Sequence, residues 1–141
     1  MFNHILVPTD GSKISNEAAQ AAVRLAKALG AKVTAFYAAP PDTPAGFQSM
    51  DEREQVTRQS ARACLGVVEK AANAAGVPCE TVSATSDYPA DAIVAAAKKR
   101  RCDLVFMASH GRRFLRRDSL LGRETQRVLE ASPVPVLVYR R

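Results

Sequence analysis

Three adjacent aliphatic residues, Ile5 to Val7, stand near the start of the chain between polar neighbours. A continuous apolar run of this kind predicts a strand buried on both faces, as in a parallel sheet. Ser12 then opens a helix in which Ala18, Ala22, Leu25 and Leu29 recur at helical spacing until Gly30 stops it. Ala31 to Ala39 reads as a second strand, and "PPDTPAGFQSM" as a loop, by its prolines and Gly46. A long helix follows from about Asp51 to Ala75, with Asp51 and Glu54 spaced as a capping box and Gly76 at its end. "CETVSATS" alternates Val82 and Ala84 with polar residues, which predicts a strand with one exposed face at a sheet edge. Pro89 suits the first turn of a short helix, "PADAIVAAAKKR". "CDLVFMAS" is a further buried strand, "GRRFLRRDSL" a loop or broken helix, "RETQRVLEA" the last helix and "VPVLVYRR" the last strand.

Strands and helices thus alternate from end to end. That alternation predicts an α/β fold: an open five-stranded parallel sheet with helices on both faces and right-handed crossovers, filling residues 1–141 as one domain. Strand orders 2-1-3-4-5 and 3-2-1-4-5 both satisfy the pattern. The polar third strand suits an edge and favours 3-2-1-4-5. In open sheets of this class, ligands bind at the carboxyl ends of strands where the order reverses. In 3-2-1-4-5 the reversal brings together "PTDGS", Pro8 to Ser12, and "ASHG", Ala108 to Gly111.

Composition narrows the class without naming a function. Of 141 residues, 47% are apolar and 24% charged, as in an ordinary globular protein. No apolar run approaches the roughly 20 residues of a membrane span. The first residues lack the pattern of a signal peptide, so a cytoplasmic location is expected. The net charge of +6 suits phosphates, nucleic acid or an acidic partner, and suits a solvated basic face as well. Cys64, Cys79 and Cys102 are odd in number and lack CxxC spacing, which argues for thiols and against a disulfide frame or zinc site.

The crevice carries most of the chemistry. Asp10 follows the first strand directly, where a carboxylate can accept from ribose hydroxyls, help hold a hydrated metal ion, or cap the next helix. Gly111 and Gly122 allow close backbone approach, and the last helix offers its N-terminal amides to an anion. His110 has no accompanying nucleophile motif and is read as shaping its turn. Arg112, Arg113, Arg116, Arg117 and Arg123 bind phosphate or simply form a solvated loop anchored by Phe114 and Leu115. Aromatic residues are scarce here, so nucleic-acid binding is not expected.

These segments together resemble the universal stress protein family. "ILVPTDGS", "GAKVTAFYA", "PADAIVAAA", "DLVFMASHGRR", "GRETQRVL" and "SPVPVLVYR" follow in the family's order over essentially the whole chain. The resemblance implies the 3-2-1-4-5 fold, a cytoplasmic dimer, and binding of ATP with Mg²⁺ in many members, with slow hydrolysis as the most catalysis expected. ATP-binding members carry Gly-x2-Gly-x9-Gly-Ser/Thr after the fourth strand. Here Ala108 replaces the first glycine, Gly111 is the second, and Gly122 best matches the third, with ten residues between it and Gly111, one more than usual. Arg123 stands where a small hydroxyl residue is usual. The extra residue shifts the loop by roughly 3 Å if extended.

By resemblance, Pro8, Thr9 and Asp10 line adenine and ribose, the backbone of Ala38 reads the adenine edge, and Met107 packs on the base. Ala108, His110, Gly111, Gly122, Arg123 and Glu124 surround the phosphates, and Asp10 touches a metal only when nucleotide brings one. Arg123 either clamps the terminal phosphates or lies across their pocket, which would leave a nucleotide-free module for a protein partner. The resemblance also implies a homodimer through the last strand, residues 134–139.

Overall fold

The computed structural model describes residues 1–39, 50–111 and 121–140. Its first strand, β1 (His4–Pro8), carries the Ile5–Val7 run, and all three side chains are fully buried. Each such side chain stabilises the fold by about 1.5–3 kcal/mol. Helix α1 (Lys13–Leu29) follows, then β2 (Lys32–Ala39), α2 (Met50–Ala75), β3 (Cys79–Thr85), α3 (Pro89–Lys99), β4 (Leu104–Ala108), α4 (Arg123–Ala131) and β5 (Val136–Tyr139). The sheet is parallel throughout, in the order β3-β2-β1-β4-β5. The polar third strand does lie at an edge, with Glu80, Thr81, Ser83 and Thr85 exposed.

Period-two alternation divides the sheet into two apolar faces. Ile5, Val7, Val33, Ala35, Leu104 and Phe106 pack with α1 and α2. Leu6, Phe36, Val105 and Met107 pack with α3 and α4. Because both faces are covered, the central strands read as unbroken apolar runs. Helix α1 meets its face mainly through small residues, Ala18, Ala19, Ala22 and Ala26. Leu29, placed on the helical stripe by spacing, lies at the last turn and is exposed.

Boundaries shift slightly from the sequence expectation. The last strand begins at Val136 rather than 134, because the Ser132 hydroxyl bonds both the N–H and the C=O of Val134 and holds a turn there. The proline-rich segment 40–49 and the block Arg112–Arg117 with Phe114 and Leu115 lie outside the described residues, as does the side chain of Asp51, half of the expected capping box.

The amino end of the sheet is organised around Asp103. Its two carboxylate oxygens accept from the amides of Asn3 at 2.9 Å and His4 at 3.0 Å. His4 itself is buried, and its Nε2 shares a 2.6 Å hydrogen bond with Oγ1 of Thr34. Burial, then the nearby Lys32 charge, lowers the His4 pKa, against smaller opposing effects of Glu80 and Asp103. Cys64 and Cys102 are buried and Cys79 partly so, all as free thiols. Burial, reinforced by Asp103, pushes the Cys102 thiol up to about 11, which disfavours a nucleophilic thiolate.

The His4 environment makes stability depend on pH. The unfolded imidazole takes its proton near 6.5, before the folded one does. The contribution is therefore complete above pH 6.5 and shrinks as pH falls toward the lower folded value, by at most about 1.4 kcal/mol per pH unit. Denaturant unfolding at pH 7.5 and 5.5 should show wild type losing more stability than His4→Gln. Equal losses in the two proteins would remove His4 from the account.

Candidate functional site

Two turns leave the sheet side by side where its winding reverses. The first follows β1. Thr9 is buried, its amide donates to the Phe36 carbonyl at 2.9 Å, and its hydroxyl accepts from Ser15 Oγ at 2.9 Å and the Gly11 amide at 3.2 Å. Ser15 Oγ in turn accepts from the Asp10 amide at 3.2 Å. Gly11, with φ of 81°, swings the chain into α1. Ser12 is the N-cap, its Oγ accepting from the Ser15 amide at 3.3 Å. Asp10 Oδ1 accepts from the Ser12 amide at 2.9 Å, so the carboxylate is held by its own turn. Capping thus falls to Ser12, while Asp10 braces the cap and reaches across the crevice.

The second turn follows β4. The Ser109 amide donates to the Tyr139 carbonyl at 2.8 Å, and the Ser109 carbonyl accepts from the Gly122 amide at 2.7 Å. Ser109 Oγ and His110 Nδ1 lie 3.2 Å apart in a hydrogen bond. Ser109 is only 3% exposed, which places its hydroxyl under the turn rather than at a reactive surface. Gly122 is the N-cap of α4 and supplies no side-chain cap. The amides of Arg123 and Glu124 have no partner among the described residues. Thr125 fixes the helix to the sheet instead, its Oγ1 donating to the Ala108 carbonyl at 3.0 Å.

The turns meet at Asp10 and Gly111. A methyl group added at Gly111 would collide with Oδ2 of Asp10, and one at Gly122 would lie 3.2 Å from the His110 Cα and 3.3 Å from its Cβ. Both glycines are thus closely approached by the protein's own atoms. Sequence reading assigned them to a ligand, since glycine spacing does not say what approaches.

The other expected site residues fall into two groups. The register pairs Leu6 with Val105, so Pro8 and Met107 lie level two residues further on, toward the face of α3 and α4. Ala38 packs against that same apolar cluster, and Met107 belongs to it. Ala108 closes β4 on the opposite face. Arg123 and Glu124 occupy the first turn of α4. Arg123 is exposed, not buried across the crevice. The Glu124 carboxylate turns away to α3, where Oε2 accepts from the Ala90 amide at 2.9 Å.

Sequence reasoning missed Ser15, Thr125 and the reach of Glu124. Ser15 sits three residues beyond Ser12, a capping spacing in itself, whereas the other two bonds depend on tertiary placement. Among the described residues, no three His, Cys, Asp or Glu side chains gather as a metal site would require. None of the described helices is long and apolar enough to cross a membrane.

The model of the Universal stress protein family matches residues 1–140. Universal stress protein MJ0531 of Methanocaldococcus jannaschii is 33% identical over 144 residues, covering 100% of this chain and 84% of that protein. Among solved structures, hypothetical protein MJ0577 superposes with a TM-score of 0.80 at 25% identity, over 100% of this chain and 97% of that one. A universal stress protein in complex with cAMP superposes with a TM-score of 0.72 at 26% identity, over 99% and 97%.

The Asp10–Gly111 contact makes a specific demand on a double-mutant cycle. Gly111→Ala should lower stability by about 1–3 kcal/mol with Asp10 present, the usual penalty of overpacking. In an Asp10→Ala background the same change should lower it by under about 1 kcal/mol, since neighbouring sites couple. Additive losses in denaturant unfolding would show that the two residues do not press on each other.

Proposed function

The chain belongs to the universal stress protein family, and from that premise we propose that it binds an adenine nucleotide as a regulatory ligand. One observation carries the reading: Asp10 and Gly111, from turns a hundred residues apart, lie in contact where the sheet reverses, with the uncapped start of α4 beside them. That is the crevice in which open α/β sheets take ligands. A relative of the same fold, 26% identical, is a complex with cAMP.

The residues present suit the parts of a nucleotide. Pro8, Ala38 and Met107 give a small apolar surface toward the α3 and α4 face for the base. Asp10 stands where a ribose hydroxyl would find an acceptor, on a turn that Thr9 braces from beneath. The amides that follow Gly122 and the positive end of the α4 dipole favour phosphate, and exposed Arg123 is able to swing onto a terminal phosphate. Asp10 is a single carboxylate, so Mg²⁺ would take most of its oxygen ligands from phosphates and water. ATP with Mg²⁺ is the form proposed, in a cytoplasmic protein.

A second reading rests on the glycines. Asp10 and His110 already fill the approach at Gly111 and Gly122, which favours a nucleotide-free module that works through a protein partner. Calorimetry separates the two. Titration of ATP with Mg²⁺ into the purified protein should give heat and a thermal shift, and Asp10→Ala should weaken the affinity by roughly tenfold or more, the worth of one charged hydrogen bond. No heat and no shift at millimolar nucleotide would leave the second reading standing.

The free edge of β5 suggests how copies associate. It leaves Leu137 38% exposed on the edge strand, suited to an isologous contact through residues 134–139. Sedimentation should give a dimer for wild type and a monomer for Leu137→Lys. A monomeric wild type at tens of micromolar would exclude this interface.

A further inference from the structure

Glu124 does something that its place in the sequence does not suggest. It lies in the first turn of α4, where a carboxylate favours the helix's own dipole. Its Oε2 nevertheless accepts from the Ala90 amide in the first turn of α3, across 34 residues of chain. Helix α3 needs that acceptor, because its N-cap Tyr88 makes no side-chain cap bond. One carboxylate therefore serves two helix starts.

The bond also fixes α4. Ala90 is 1% exposed and packs in the core with Ile93 and Ala97, so α3 is a firm anchor. Residues 122, 124 and 125 each make one long-range bond: Gly122 to the Ser109 carbonyl, Glu124 to the Ala90 amide, and Thr125 to the Ala108 carbonyl. The first and third tie the helix start to the end of β4. Glu124 alone among them ties it sideways to another helix. Arg127 stands 3.7 Å from Glu124 Oε1, an exposed pair that adds little.

Resting on the nucleotide reading above, we propose that Glu124 is a positioning residue: through its bond to α3 it sets where the amides of Arg123 and Glu124 stand, and so sets affinity for the phosphate but not for the adenosine. The base surface of Pro8, Ala38 and Met107 is held by the sheet and does not depend on this bond. The carboxylate never touches the ligand in this arrangement. Its charge is spent on α3 rather than left facing an incoming phosphate.

Three variants of the full chain test this with adenosine, AMP and ATP with Mg²⁺ by calorimetry. Glu124→Gln keeps a carbonyl acceptor for the Ala90 amide. Glu124→Asp keeps the charge with one methylene less reach, and Glu124→Ala removes both. Ala and Asp should weaken AMP and ATP by roughly tenfold, the scale of one charge-assisted bond, while adenosine changes by less than about twofold. Gln should bind all three within about threefold of wild type. Parallel losses of adenosine and AMP, unchanged phosphate affinity in the Ala and Asp variants, or failure of Gln to restore it would each overturn the proposal. If wild type binds none of the three ligands, the nucleotide reading fails first and this inference goes with it. Should Glu124→Ala not fold, the Asp and Gln pair decides the matter alone.

Discussion

The pairing of β1 with β4 is the constraint on which the rest of this molecule depends. The two strands are about a hundred residues apart in the chain, so their contact carries a large loop-closure penalty that local structure cannot offset. A carboxylate helps secure the pairing at each end. At the amino end, Asp103 before β4 holds the amides of Asn3 and His4, and its own amide donates to the His4 carbonyl at 2.9 Å. At the carboxyl end, Asp10 after β1 lies against Gly111 after β4. Between these clamps Ile5, Leu6, Val7 and Val105 are fully buried. The crevice is therefore a by-product of the closure itself, since the strands diverge in connectivity where they converge in space.

This arrangement gives Asp10 two duties that share one geometry. Holding the Ser12 amide organises the start of α1, and lying on Gly111 fixes the spacing between the two turns. A carboxylate so restrained points in a set direction. That is preorganisation: a ligand hydroxyl arriving there does not have to freeze the side chain. The same restraint explains why alanine at 111 would be felt on the other side of the crevice.

Much of the fold was legible because its causes are local and periodic. The Ile5–Val7 run, the alternation in β3, Pro89 at the first turn of α3 and the spacing of α4 each state their own structure, and the polarity of β3 chose the strand order. Leu29 misled, because helical spacing marks a face without marking where the sheet beneath it ends. The site was legible in outline only. Strand order and position place Asp10 beside Gly111, and the family pattern picks out the segments. What presses on each glycine, and where Glu124 reaches, are tertiary facts. Nothing in "GRETQRVL" announces that the glutamate caps a helix that begins at Pro89. Ser132 shortened β5 for a similar reason: a single hydroxyl bound two groups of Val134 and held the chain in a turn.

Helix α4 shows how a short helix with a glycine N-cap is held in a stable fold. It has nine residues, too few to hold together in water without tertiary support. Its N-cap is a glycine, which forgoes roughly a few tenths of a kcal/mol that a serine or aspartate would contribute. Val128, fully buried, and the three long-range bonds of residues 122, 124 and 125 offset that loss. None of those bonds uses the amides of Arg123 or Glu124. The anchoring is done by one backbone amide outside the helix and by two side chains, so the helix start is held without its first two amides. A serine cap would have satisfied one donor and filled the space against His110. With glycine at 122 neither amide has a partner among the described residues, and its small stability deficit is met from the neighbouring elements.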